Sequence, residues 1–162
     1  MMRPMKLAGS ELVFGNGSLE YIKSINCKRA AIVVGGSSME KNGTLAKVEG
    51  LFHETGATTT VISGVEPDPS IETVLRGAKK MGEFNPDLIV GLGGGSAMDA
   101  AKAMWIFYEY PELKGLSDIL PPNDFPKLRR KARLCCIPST SGTASEVSRS
   151  IVITENSTGL KY

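Results

Sequence analysis

The sequence predicts an α/β fold in which a mainly parallel, doubly wound sheet carries helices on both faces. Three observations lead there. Short apolar or β-branched runs recur at residues 28–34, 57–63, 88–90 and 134–137. Between the first three lie segments whose apolar residues repeat at helical spacing, and another such segment follows the third. The junctions between them are mostly short and rich in Gly, Ser, Asp and Pro. Strands alternating with helices form βαβ units, hence a parallel sheet with right-handed crossovers. In such Rossmann-like sheets, ligands bind outside the carboxyl ends of the strands.

The elements follow in order. Residues 1–10 carry no clear pattern, and residues 11–14 fit a short edge strand before a Gly-Asn-Gly turn. Ser18 caps a short helix to residue 25, with Leu19, Ile22 and Ile25 at threefold spacing. Residues 28–34 (KRAAIVV) read as a buried strand that ends at Gly35, Gly36, Ser37 and Ser38. A helix over 42–54 places Leu45, Val48, Leu51 and Phe52 on one face and closes at Gly56. Residues 57–63 (ATTTVIS) form the next strand. The stiff turn Pro67-Asp68-Pro69-Ser70 supplies a cap to a helix with Ile71, Val74, Leu75, Ala78 and Met81 on one stripe.

Leu88, Ile89 and Val90 are the continuous apolar run of a strand covered on both faces. The helix after it continues through Met104, Ile106 and Phe107 and is apolar nearly all round, which implies burial. Residues 111–133 break the rhythm with Pro111, Pro121, Pro122 and Pro126, then the basic run 127–133, read as a surface excursion with a solvated charged face. Residues 134–137 resume as a strand, and residues 149–154 (RSIVIT) are strand-like.

Composition excludes several classes of function. At 162 residues the chain suits one domain with a real core. A net charge of +2 argues neither for nor against a nucleic-acid partner, and a basic run with no interleaved aromatics argues against one. No stretch is apolar enough to span a membrane, and the N-terminus lacks the apolar core of a signal peptide. Three cysteines make no disulfide framework, so a reducing cytoplasm is the expected location. Cys135 and Cys136 are neighbours on a strand and point to opposite faces, as buried thiols rather than a metal pair. The single histidine, His53, falls in a helix away from any strand carboxyl end and is no metal ligand by itself.

Two loops carry chemistry. Gly93, Gly94 and Gly95 let the backbone turn sharply, and Ser96 with Asp99 three residues on has capping-box spacing. A helix start beneath a glycine loop is a ready anion site; the alternative is a tight strand-to-helix turn with an ordinary cap. The stretch is neither G-x-G-x-x-G, since Ser96 takes the sixth position, nor a P-loop. The second loop, residues 139–148, offers Thr140, Ser141, Thr143 and Ser145 around Gly142. Hydroxyls and backbone N–H groups hold pyrophosphates in this way, though such residues also make plain surface turns. Three loops at strand carboxyl ends, 35–38, 67–70 and 93–96, are expected to form a wall facing a nucleotide.

GGGSAMDAAK at 93–102 and IPSTSGTASEV at 137–147, at this separation, resemble the iron-containing alcohol dehydrogenase family. The resemblance extends to FGNGS at 14–18, EPDPS at 66–70 and AMWIFYEYP at 103–111, the last similar to the branch that includes bacterial butanol dehydrogenases. It covers the whole chain. It implies an N-terminal nicotinamide-binding domain and an all-helical C-terminal domain whose one Asp and three His hold Fe²⁺ or Zn²⁺. Residues 1–162 would be the dinucleotide-binding domain, short of its last strand, with the metal domain outside this chain.

Carried over by motif, Gly94, Gly95, Ser96 and Asp99 hold the pyrophosphate. Thr140, Ser141, Thr143, Ser145 and Val147 line the phosphates and the nicotinamide side. Asp68 belongs to the same cofactor-binding set, and Lys161 matches a family lysine at the ribose. NAD sites commonly place a carboxylate after the second strand, and none occurs from residue 32 to 39. Gly36, Ser37, Ser38 and Lys41 can accommodate a 2′-phosphate, so NADP(H) is expected over NAD(H). The expected reaction is hydride transfer between NADP(H) and a small-molecule alcohol or aldehyde, with this chain alone inactive for want of a metal site. A homo-oligomer is among the expected assemblies. A stand-alone nucleotide-binding module without catalysis is the alternative. A glycerol dehydrogenase or dehydroquinate synthase relative is a weaker one, disfavoured by residues 105–111.

Overall fold

In the computed structural model, residues 11–162 are described. The sheet has four strands: β1 (Arg29–Val34), β2 (Thr58–Ile62), β3 (Leu88–Gly93) and β4 (Arg133–Pro138), in the order β2-β1-β3-β4. All three pairings are parallel, with Ile32 opposite Val61 on one side and Val90 on the other. The helices are α1 (Ser38–Lys41), α2 (Thr44–Glu54), α3 (Ile71–Phe84) and α4 (Gly95–Glu109), and a 3₁₀ helix spans Ser18–Ser24.

Alternation along β1 produces two cores. Ala30, Ile32 and Val34 point toward Val48, Leu51 and Phe52 of α2. Ala31 and Val33 point toward α3 and α4 through Val74, Ala78, Met81 and Met104. Helices therefore cover both faces, and the α/β doubly wound expectation holds. The chain steps from β1 to β2 in one direction and then back across to β3 and β4. The crevice between β1 and β3 at their carboxyl ends is the switch point of the sheet.

Glycine lets α4 lie close on the sheet. A Cβ at Gly91 in β3 would stand 3.0 Å from the Cα of Met98 and 3.1 Å from the Cβ of Ala101. As its composition implies, α4 is buried from Ala97 through Glu109 apart from the half-buried Asp99. Its far end organises the excursion before β4. Buried Glu109 accepts bonds from the N–H groups of Arg130, Lys131 and Ala132 and from the indole of Trp105. The charged side chains of the basic run are exposed, as expected of a solvated face, while its backbone is held from beneath. Its backbone is pinned to Glu109, Ala132 is buried, and Arg130 and Lys131 lie over the rings of Tyr110 and Tyr108.

Other expectations need correction. Within 11–14 only Leu12 makes a β-bridge. The helix expected over 42–54 is α2, starting two residues later at Thr44, because Gly43 is left-handed (φ 78°) and the Asn42 side chain accepts from the Thr44 N–H; the short α1 before it is unexpected. The strand-like 149–154 does not join the main sheet. The Val152 N–H donates to Asp99, and the Ser150 carbonyl accepts from Lys102, so their bonding groups go to side chains of α4. Only Thr154–Glu155 (β5) is strand, paired antiparallel with β6 (Leu160–Lys161). Fully buried Ile153 anchors this hairpin against the α3–α4 core, and Thr154 bridges Ser70.

Candidate cofactor site

Around the α4 N-terminus the chain makes a cleft of about 290 Å³, lined by Asp68, Pro69, Gly95, Ser96, Asp99, Thr143, Ser145, Ser148, Ser150 and Val152. Three segments build it. The first is the β3–α4 turn. Gly93 has φ 142°, a conformation open to glycine, and the N-cap is Gly94, extended and without a side-chain cap. The capping box expected at Ser96 and Asp99 is absent, since α4 starts one residue before Ser96. Met98 N–H makes the first helical bond, to the Gly94 carbonyl, so the N–H groups of Gly95, Ser96 and Ala97 precede the ladder. Those donors and the positive end of the helix dipole face the cleft that Gly95 and Ser96 line.

The second segment is the loop 63–70. Burial pushes the Glu66 carboxyl up, but bonds from the hydroxyl and N–H of Ser70 and the hydroxyl of Thr73 outweigh it and hold it at about 2. Ser70 in turn caps α3, its hydroxyl accepting from the Thr73 N–H, as expected of that turn. This stiff loop presents Asp68, whose N–H donates to the Ser96 hydroxyl at 3.3 Å. The hairpin β5–β6 brings Lys161 to Asp68, where the ammonium and carboxylate meet at 2.8 Å on the exposed rim.

The third segment is the hydroxyl-rich stretch after β4. The Ser139 N–H donates to the Gly93 carbonyl at 2.8 Å and fixes where this stretch leaves the sheet. A Cβ on Gly95 would lie 3.0 Å from the Thr143 methyl, and one on Gly94 would lie 3.6 Å from the Thr140 hydroxyl oxygen. The two glycines therefore permit the close approach of the two loops. Asp99 and Lys102, one turn apart on α4, tie the stretch down. The Ser145 hydroxyl donates to Asp99, and the Lys102 ammonium donates to Ser145 at 2.9 Å, to the Ser150 carbonyl at 2.9 Å and to Asp99 at 3.3 Å.

Of the residues singled out in the sequence, Asp68, Gly95, Ser96, Asp99, Thr143 and Ser145 line one cleft, with Gly94 and Thr140 beside it and Lys161 at its rim. Gly36, Ser37 and Ser38 lie exposed at the end of β1, outside the cleft lining, and Ser141 and Val147 are not in it either. Of the three loops expected as one wall, 67–70 and 93–96 meet, and 35–38 is not in the lining of their cleft. Sequence reasoning missed Lys102, Ser148, Ser150 and Val152. A lysine inside an otherwise apolar buried helix was the available signal for Lys102; nothing local marked the others, because only the path of the loop brings them in.

The donor set of hydroxyls and free helix N–H groups fits the diphosphate of a dinucleotide. For a metal the fit fails: among the described residues no three His, Cys, Asp or Glu side chains converge. His53 is exposed and pairs with the Thr59 hydroxyl at 2.9 Å.

The sequence model of the family described as iron-containing alcohol dehydrogenase matches residues 9–162. The chain belongs to the iron-containing alcohol dehydrogenase family. It is 52% identical over 152 residues to a NADPH-dependent butanol dehydrogenase of Clostridium saccharobutylicum, covering 94% of this chain and 39% of that protein. An alcohol dehydrogenase of Thermococcus barophilus is 43% identical over 150 residues, covering 89% and 39%. The iron-containing alcohol dehydrogenase structure from Thermococcus thioreducens superposes with a TM-score of 0.82 at 38% identity, covering 91% of this chain and 40% of that one. The chain thus spans about two fifths of the length of these relatives. Within the family, the fold seen here is that of the alcohol dehydrogenases' α/β part, and the two motifs that carried the resemblance supply Gly95, Ser96, Asp99, Thr143 and Ser145 to the cleft. No helix among the described residues is long and apolar enough to cross a membrane.

Proposed function

We propose that this chain is the dinucleotide-binding part of a metal-dependent alcohol dehydrogenase that transfers hydride between NADP(H) and a primary alcohol or aldehyde. One observation carries the reading: the unpaired N–H groups of the α4 first turn and the hydroxyl segment 139–150 face each other across one cleft at the carboxyl end of β3. Gly94, Gly95 and Ser96 would hold the pyrophosphate through backbone N–H groups, with Thr140, Ser141, Thr143, Ser145 and Val147 along its flank and toward the nicotinamide. Lys161 would reach the ribose by leaving its rim contact with Asp68. Asp99 acts through Ser145 and Val152, which already use both its oxygens. When bound, the nicotinamide supplies the hydride chemistry, and this chain binds and orients it.

NADP(H) rather than NAD(H) is supported by the carboxylate-free loop Gly36, Ser37, Ser38 with Lys41 nearby, and by the identity with a relative described as NADPH-dependent. The Fe²⁺ or Zn²⁺ of the family would be held by residues other than those described here. A nucleotide-binding module without catalysis is the second reading; among the described residues no three His, Cys, Asp or Glu side chains converge. Free, poorly ionised thiols suit a reducing compartment such as the cytoplasm.

The test is a fluorescence titration of the chain with NADPH and NADH. NADPH should bind the tighter, by roughly tenfold, the equivalent of about 1.4 kcal/mol. Tighter NADH binding would overturn the cofactor preference, and binding of neither would overturn the site.

A further inference from the structure

Lys102 is a cation on a helix whose other buried side chains are apolar or aromatic, Glu109 at its far end apart: its side chain is 8% exposed and that of Asp99 is 14% exposed. Asp99 poses a problem for an anion site. Its carboxylate lines the cleft one turn from Gly95 and Ser96, and unscreened it would repel a diphosphate bound at those N–H groups. The ammonium of Lys102 sits on the same Oδ1 oxygen that accepts the Ser145 hydroxyl, and also holds Ser145 and the Ser150 carbonyl. Segment 143–152 has no helix or strand of its own, yet it supplies five of the residues lining the cleft. Its polar anchors to α4 are bonds to these two side chains.

We propose that Lys102 is a positioning residue with two coupled tasks: it neutralises Asp99 beside the diphosphate site, and it pins segment 143–152 as the wall of that site. Lys102 does not touch the cofactor. It acts through Asp99, Ser145 and Ser150. The proposal rests on the reading of the cleft as a dinucleotide site.

Three forms of the full chain test it: wild type, Lys102→Met, and the double variant Asp99→Asn with Lys102→Met. The charge-compensation claim predicts that K102M weakens NADPH binding by roughly tenfold or more, since truncating one member of a buried charge pair leaves the other uncompensated. The double variant, with both charges gone, should bind about threefold or more tighter than K102M, yet below wild type because the pin is still missing. A purely structural role for Lys102 would leave the double variant as weak as the single one, and that result overturns the compensation.

Amide hydrogen exchange without cofactor supplies the independent readout. Segment 143–152 should exchange about tenfold faster in K102M, with β1 and β3 unchanged. Unchanged exchange in a folded K102M overturns the pinning. Where K102M does not fold, the double variant decides: faster exchange of segment 143–152 with binding less than roughly tenfold weaker than wild type supports the proposal, and unchanged exchange or a loss of roughly tenfold or more overturns it. Should wild type bind no nicotinamide cofactor, the functional reading fails by itself, and the exchange experiment still decides the role of Lys102 in the wall.

Discussion

Glu66 shows how single residues stiffen this site. Its carboxylate gathers three donors from Ser70 and Thr73 and so fixes the loop that presents Asp68. Its folded value of about 2 lies below the usual value near 4.3 for an unfolded glutamate. The stability it contributes is therefore fully present above about pH 4.3 and is lost as pH falls through 2. Glu66→Gln should lower stability near neutral pH by about 1–2 kcal/mol and flatten the decline between pH 4 and 2, as read by urea unfolding across that range. An unaltered pH profile would remove Glu66 from the account. The cysteines behave alike in one respect: burial pushes the thiols of Cys135 and Cys136 up to about 12 and 11, and raises that of Cys27. At pH 7.5 a thiol reagent should modify the native chain slowly and all three positions promptly after unfolding. Rapid native labelling would show the β4 thiols to be accessible.

Elements are held by the places where no side chain stands. Gly91 lets α4 rest on β3, and the neighbour a new Cβ would strike is helix backbone, which cannot swing aside. Gly91→Ala should cost about 1–3 kcal/mol and lower the melting temperature. Gly95→Ala acts differently. Its Cβ would press on the Thr143 methyl at 3.0 Å, so the hydroxyl segment must yield by a few tenths of an ångström. NADPH affinity should fall, by roughly tenfold, with less change in melting temperature than in Gly91→Ala; equal affinity would show that the two loops need not touch. Periodicity revealed α3, α4 and the four parallel strands because each buries a face whose spacing is written locally. It misplaced the start of α4 because Ser96 has the right chemistry for a cap while Gly94 takes the position, its side chain role filled by nothing. It misread 149–154 because β-branched residues favour extended backbone, whereas the bonding partners that decide between sheet and loop sit on α4, some fifty residues earlier.

At the scale of the molecule, the sheet order β2-β1-β3-β4 places the switch point between β1 and β3, and the cleft opens beside it at the end of β3. The loop that would meet a 2′-phosphate lies at the end of β1, next to β3 in the sheet and outside the cleft lining. A dinucleotide would thus extend from the cleft across the carboxyl ends of both strands. With one histidine in the sequence and no convergent ligands among the described residues, added Fe²⁺ or Zn²⁺ should neither bind stoichiometrically nor elicit alcohol oxidation with NADP⁺. Turnover by this chain would show a reaction centre built from groups other than those the family resemblance implies.

By itself the sequence determined the alternation of strands and helices, the burial of α4 and the two loops rich in glycine and hydroxyl groups, since apolar period, glycine and hydroxyl content are local properties. Tertiary structure alone decided that 67–70 and 93–96 share a cleft that 35–38 does not line. It also decided that Asp99 and Lys102 face inward to Ser145 and Ser150 and that Lys161 comes to rest on Asp68. Those contacts join residues 28 to 93 positions apart, and the path of the chain between them is fixed by the packing of both faces of the sheet.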